Sequence, residues 1–272
     1  MAAVDTGTED LLADLTDGVG TLTLNRPQAR NAMSDGMNQG LAGMLDAWEL
    51  DPDVRCIVLT GGGGAFCAGG DVKGMAASGG EGRVPNWDER VHKQRLNQRG
   101  TSGRLFRMPK PTIAKIPGAT AGAGMGLALA CDLKVAAEGA VFTTAFTRVG
   151  FAGDYGGTWF LTQLVGPAKA KELYYLSDRL SGAELAELGI VNKAVPADEL
   201  DAAVDEWAAR IAAGPTIAYR YQKENINRAL IEDLEMCMDL EATHHLRTGQ
   251  TDDHLAAAQA FAEKRDPVFK GR

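Results

Sequence analysis

No stretch of this 272-residue sequence approaches the ~18 consecutive apolar residues that a membrane-spanning helix requires, so no membrane partner is expected. Positive charge is in short supply. Lys and Arg number 28 against 36 Asp and Glu, a formal net charge of −8 at pH 7, and such a balance speaks against nucleic acid or an anionic membrane surface as partner. Cysteine is sparse as well. Cys56, Cys67, Cys131 and Cys237 are not closely paired, which excludes a disulfide scaffold and suits reduced thiols in a cytoplasmic setting. Of the four histidines, His244 and His245 are adjacent and His254 is nine further on; none of these gaps is a metal-ligand spacing, and no metal is expected. The opening "MAAVDTGTED" has neither a basic n-region nor an apolar h-region, so a secretory signal is not expected.

What the sequence has in abundance is glycine, 33 residues. Six fall within "GGGGAFCAGGD" (61 to 71), directly after the apolar run "CIVLT". A second cluster, "GATAGAGMG", occupies 118 to 126. A phosphate-binding role fails on spacing in both. Gly64 is followed after four residues by Gly69, but then by Gly70 and Asp71 instead of Lys and Ser or Thr. The dinucleotide pattern G-x-G-x-x-G breaks at Leu127.

Around these loops the periodicity alternates between strand and helix. "VGTLTLNRP" (19 to 27) alternates as a half-exposed strand does. Ser34 is placed to cap a helix carrying Met37, Leu41, Met44, Leu45 and Trp48 at steps of three and four. Strands are predicted at 54 to 60, at the centre of "KPTIAKIPG" (110 to 118), at 133 to 138 and at 190 to 196. A charged helix is predicted around 89 to 107, and a buried one from about Met125. The Gly, Ala and Ser-rich segment 72 to 88 reads as a loop. Beyond 197 the pattern is helical only: 198 to 213, 215 to 230, 231 to 248 and 252 to 265, the last with a stripe of Leu255, Ala258 and Ala262. This divides the chain into an α/β core, 1–197, and a C-terminal helical region, 198–272, of the kind that builds subunit contacts.

Strand, glycine loop and helix thus occur twice. Backbone N–H groups freed at such a turn, with a helix N-terminus behind them, attract negative charge. One N–H from each loop on a single oxygen makes an oxyanion hole; the alternative is that the glycines only permit tight turns.

Five ordered segments resemble the crotonase (enoyl-CoA hydratase/isomerase) superfamily: "LNRPQARNAM" (24 to 33), "IVLTGGGGAFCAGGDVKGM" (57 to 75), 110 to 142, 153 to 196, and "FAEKRDPVFKG" (261 to 271). The resemblance implies an α/β fold, a spiral of ββα units with a C-terminal helical trimerisation region, assembled as a homotrimer or as a hexamer built from two trimers. It implies an acyl-CoA substrate, with coenzyme A entering as part of that thioester and no permanently bound cofactor. By position the thioester oxygen meets the N–H groups of Gly70 and Ala123. Ala68, Asp71 and Val72 match the backbone that binds the adenine, and Phe261 and Lys264 match positions that reach a neighbouring subunit's CoA.

Typical hydratases of this superfamily carry two glutamates, and here those positions hold Gly126 and Phe146. One carboxylate remains at a recurring catalytic position, Asp154 in "VGFAGDYGGTWFLTQLVG", matching the catalytic aspartate of phenylacetate-pathway epoxide isomerases and dienoyl-CoA isomerases. The alternative is that Asp154 caps the following helix. Moving a double bond asks for one base, whereas adding water asks for two groups. Isomerisation is therefore the leading expectation, with hydration in fatty-acid degradation or a catalytically silent CoA-binding protein as alternatives. Asp71 and Asp132 are expected to shape their loop and strand. Cys67 is expected to pack rather than react.

Overall fold

The computed structural model describes residues 2–71 and 86–272. Strands β1 (Ala2–Val4), β2 (Leu11–Thr16) and β3 (Val19–Leu24) form an antiparallel edge. The turn between β2 and β3 is the pair Asp17-Gly18, both with positive φ (50° and 80°), as the twist of a two-residue hairpin demands. Ser34 caps α1 (Asp35–Leu50) by accepting from the Met37 N–H at 3.0 Å. The expected apolar face of α1 is the buried one.

From there the chain winds in repeated turns. β4 (Cys56–Gly61) leads to β5 (Ala65–Cys67), and helices α2 (Trp87–Gly100) and α3 (Ser102–Arg107) return it to the start of the next turn. β6 (Thr112–Ile116), β7 (Ala119–Ala121) and α4 (Ala123–Ala130) make the second turn. β8 (Leu133–Ala137), β9 (Val141–Thr143) and α5 (Gly157–Leu176) make the third. The first strand of each turn joins a seven-stranded sheet, ordered β1-β2-β3-β4-β6-β8-β11 and parallel from β3 onward. The second strand joins a four-stranded sheet ordered β10-β9-β7-β5. β10 (Leu180–Ser181), α6 (Gly182–Glu187) and β11 (Lys193–Val195) complete the two sheets. This is the expected α/β spiral.

The core lies between the sheets and helices. Every residue of β4 is buried, the mark of a parallel strand covered on both faces, and all eight residues of α4 are buried. Helix α5 is interrupted at Gly166 (φ 75°, ψ 166°) before Pro167, because proline forces the preceding residue out of the helical region. The charged helix expected over 89 to 107 is two helices, α2 and α3, parted at Thr101 (φ −114°, ψ −92°).

The C-terminal helices are α7 (Leu200–Ala212), α8 (Thr216–Arg228), α9 (Leu234–Thr248) and α10 (Asp252–Ala262). Lys223 ties α8 to the core: its Nζ lies 2.8 Å from Leu105 O, 3.1 Å from Lys110 O and 2.8 Å from Asp132 Oδ2. Asp132 in turn accepts from Thr112 N at 2.8 Å and from Thr112 Oγ1 at 3.0 Å. Asp132 therefore does more than order its strand. Around them lies a cavity of about 490 Å³ lined by Phe106, Trp159, Lys223, Ile226 and Leu230 among others. On α9 and α10 Leu234, Met236, Met238, Leu246 and Leu255 are exposed. The stripe expected on the last helix faces outward in the single chain, and α10 buries Asp253 and Ala260. The Asp253 carboxylate accepts from the Lys270 and Gly271 N–H groups at 2.6 and 2.8 Å, so the final residues fold back over that face.

Candidate active site

The small sheet brings the two glycine loops together. β5 pairs in parallel with β7, Cys67 opposite Thr120, so both strands release their loops at the same edge. Gly69 has φ 88°, and a Cβ there would lie 2.7 Å from Ala121 O and 3.2 Å from Ala123 N. Only glycine permits this approach. Ala68 N donates to Arg30 O at 2.9 Å, and Gly69 O accepts from Met33 N at 2.8 Å, which holds the first loop against the 24 to 33 segment. Asp71 meets the Arg26 guanidinium at 3.2 Å, as a loop-shaping residue should. Gly122, with φ 53°, precedes α4, and Ala123 is the first helical residue. Among the described residues no carbonyl or side chain takes the N–H of Gly70 or of Ala123. Amides of this kind, one of them at the N-terminus of a fully buried helix, can receive an oxygen that gains charge.

Asp154 lies on the segment that packs over α4, where the next residue, Tyr155, meets Gly126. Its charge helps to raise the pKa of the Cys67 thiol, after burial itself, and Cys67 ends the strand that carries the first loop. The Asp154 backbone carbonyl accepts from Gly157 N at 3.0 Å, but its carboxylate caps nothing: the N-cap of α5 is Gly156, with no side-chain cap bond. The capping alternative is excluded. Among the described residues Oδ2 receives only a long contact of 3.4 Å, from Gln94 Nε2. Oδ1 is buried with no hydrogen-bond partner among the described residues. Burial raises the pKa from 3.8 to about 6, since an apolar surround disfavours the charged form. A carboxyl of that kind takes and returns protons near neutral pH.

The loop around Asp154 is fixed from two sides. Gln98 Oε1, one turn beyond Gln94 on α2, accepts from Tyr155 N at 2.8 Å, and Tyr155 Oη donates to Asn38 Oδ1 at 3.1 Å. Beneath it, a Cβ at Gly126 would lie 2.7 Å from Tyr155 Cβ and 2.8 Å from Tyr155 O. The backbone after Asp154 thus occupies the space into which a side chain at 126 would grow. At the other substituted position, the Phe146 ring packs over Gly122 and stacks on Tyr174, centroids 5.8 Å apart and planes 6° from parallel.

Ala68, Gly70, Asp71, Ala123 and Asp154 are therefore brought to one region. Val72 lies outside the described residues, as does most of the loop expected at 72 to 88. Phe261 is 87% exposed, and Lys264, also exposed, adopts a left-handed φ of 56° just past α10. Cys67 Sγ donates to Asn31 O at 3.0 Å and burial pushes its pKa up to about 12, in keeping with packing. Sequence reasoning did not single out Gln94, Gln98, Tyr155 or Tyr174. The first two show a signal only in retrospect, amides at i and i+4 on one face of an otherwise charged helix.

The fold defines the class of protein: a crotonase-type α/β spiral. The chain aligns with the crystal structure of an enoyl-CoA hydratase from Bacillus anthracis with a TM-score of 0.89 and 34% identity, over 97% of this chain and 100% of that one. An enoyl-CoA hydratase from Polaromonas sp. JS666 aligns at 0.88 and 33%, over 95% and 99%. The chain belongs to the enoyl-CoA hydratase/isomerase family, whose sequence model matches residues 14–272, and is thus an enzyme of the crotonase superfamily. It is similar to the 1,2-epoxyphenylacetyl-CoA isomerase of Escherichia coli (strain K12), 35% identical over 97% of this chain and 99% of that protein. Among the described residues no helix is long and apolar enough to cross a membrane.

Proposed function

We propose that the enzyme moves a double bond in an enoyl-CoA or related CoA thioester, with Asp154 as its single proton-carrying base. The observation that carries this reading is the Gly126–Tyr155 contact. The loop bearing Asp154 fills the place of a first glutamate, and Phe146 stands in the place of the second, so one carboxylate serves where hydration uses two. Take a 3-enoyl thioester. The Asp154 carboxylate removes a proton from carbon 2, and the C–H electrons flow into an enolate whose oxygen is held by the N–H groups of Gly70 and Ala123. The carbonyl then re-forms, the double bond settles between carbons 2 and 3, and the same carboxyl returns the proton to carbon 4. Each amide is worth about 2.7 to 4 kcal/mol in the transition state, and the positioned base ~10² to 10⁴-fold in rate.

Supporting this reading are the pKa of Asp154 near 6 and the likeness to a relative named as an isomerase. In the same proposal Ala68, Asp71 and Val72 meet the adenine through their backbone, while Phe261 and Lys264 reach the CoA of a neighbouring copy in a trimer or dimer of trimers. Residues 198–272 then supply the assembly surface, and the enzyme works in the cytoplasm. The test is Asp154→Asn in deuterated water with trans-3-hexenoyl-CoA and with crotonyl-CoA. The wild type should isomerise the former and wash deuterium into carbons 2 and 4. The variant should lose at least about 100-fold in rate while binding the thioester as before. Undiminished turnover by the variant, or water addition to crotonyl-CoA as fast as isomerisation, overturns the assignment.

A further inference from the structure

Helix α2 reaches the 154 to 155 segment at two points one turn apart. Gln98 Oε1 accepts from the Tyr155 N–H at 2.8 Å and fixes the backbone, while Gln94 Nε2 lies 3.4 Å from Asp154 Oδ2 and meets the carboxylate itself. The helix that carries both amides is moored on α1 and at its own end. Lys93 pairs with Asp35 of α1 at 2.7 Å. Gly100 packs so closely on α1 that a Cβ there would lie 3.3 Å from the Ala42 Cβ. Thr101, just past the helix and fully buried, donates through Oγ1 to Asn97 O at 2.7 Å. Tyr155 Oη closes the triangle on Asn38 of α1 at 3.1 Å. Gln94, half-buried, is therefore a donor on a fixed support.

Among the described residues no cation pairs with Asp154, and no other side chain or amide donates to its carboxylate. The titratable groups that feel its charge are Tyr155 beside it, Tyr174 on α5 and Cys67 at the end of β5. Burial, first of all, raises all three, so each keeps its proton and stays neutral. Whether Asp154 is charged is thus decided by burial, which favours the acid, against one amide dipole, which favours the carboxylate. A side-chain amide does not titrate near neutral pH, so it steadies the base without competing for the proton. We infer that Gln94 is a positioning residue: its N–H donates to the Asp154 carboxylate, holding it in one orientation and favouring its charged form. The inference rests on Asp154 as the base proposed above. A separation of 3.4 Å suits a resting site, since catalytic hydrogen bonds are often long before substrate binds and shorten in the complex.

The experiment titrates Asp154 directly, by carboxyl-carbon NMR of protein labelled at aspartate, with the Asp154→Asn spectrum assigning the signal. Wild type, Gln94→Leu and Gln94→Glu are compared, with and without saturating hexanoyl-CoA. Loss of the donor in Gln94→Leu should raise the Asp154 midpoint by about half a pH unit or more, most clearly with the thioester bound. Gln94→Glu keeps the shape but sets a second carboxyl beside the first, and should raise it further. The direction separates this from mere loosening of the loop, which would admit water and bring the midpoint down towards 3.8. The pH profile of kcat/KM on trans-3-hexenoyl-CoA should move the same way, with kcat falling roughly 3 to 10-fold and KM little changed. In the Asp154→Asn background, Gln94→Leu should cost nothing further. A raised titration with an unmoved rate profile upholds Gln94 and rejects Asp154 as base. A midpoint that stays or falls in both variants, or a Gln94→Leu loss that persists in Asp154→Asn, overturns the proposal.

Discussion

Asp154 should weaken the fold that it serves. Its folded pKa is about 6 against an ordinary 3.8, raised by burial, so the neutral acid is favoured in the native state. Between those values the native protein binds more protons than the unfolded chain, and stability falls as pH rises. The full penalty is reached above pH 6 and is absent below about 3.8. An interval of that size corresponds to ~3 kcal/mol at most. Because the side chain retains partial exposure, we discount this to about 1 to 2 kcal/mol. Asp154→Asn keeps the shape and removes the charge. It should therefore stabilise the protein by about 1 to 2 kcal/mol at pH 7.5, raising Tm by roughly 2 to 4 °C per kcal/mol, with the gain fading as the pH falls towards 4. The assay is thermal and urea unfolding of both proteins at fixed concentration across that range. A variant no more stable than wild type at pH 7.5, or one whose advantage grows as pH falls, refutes the argument that burial raises this pKa.

In the wild type, kcat/KM for isomerisation should rise with pH through about 6 and level off above it, because only the carboxylate lifts a proton; a profile flat from pH 5 to 8 counts against Asp154 as base. Gly126→Ala should displace the Tyr155 backbone, destabilise by about 1 to 3 kcal/mol and lower kcat more than it raises KM, checked by unfolding and steady-state kinetics. Lys223→Met leaves the Asp132 carboxylate without its cation and should cost roughly 3 kcal/mol, with helices α8 to α10 cut first in limited proteolysis.

The elements that the sequence made legible are those with a strong local signal. Ser34 and the Met37-to-Trp48 periodicity mark α1, and the apolar run into "GGGG" marks β4 with its loop. The short strands β5, β7 and β9 were not legible, since three residues carry no readable period and are held in place by long-range pairing. β2 shows weak alternation, and its one strong local signal is the Asp-Gly turn that follows it. At the site, Gly70, Ala123 and Asp154 were proposed from the family resemblance and the order of its motifs. Gln98 and Tyr155 could not be read that way, because what they do comes from contacts across 57 and 117 positions of chain.

The two amides proposed to hold the thioester oxygen follow β5 and β7, neighbours in the smaller sheet but separated in sequence by a whole turn of the spiral. Such pairing closes a large loop of chain before it repays the entropy, and is slow to nucleate. During refolding, recovery of helix signal should therefore run ahead of recovery of turnover. Enzymatic competence becomes a clock for the moment when the spiral's inner layer zips shut.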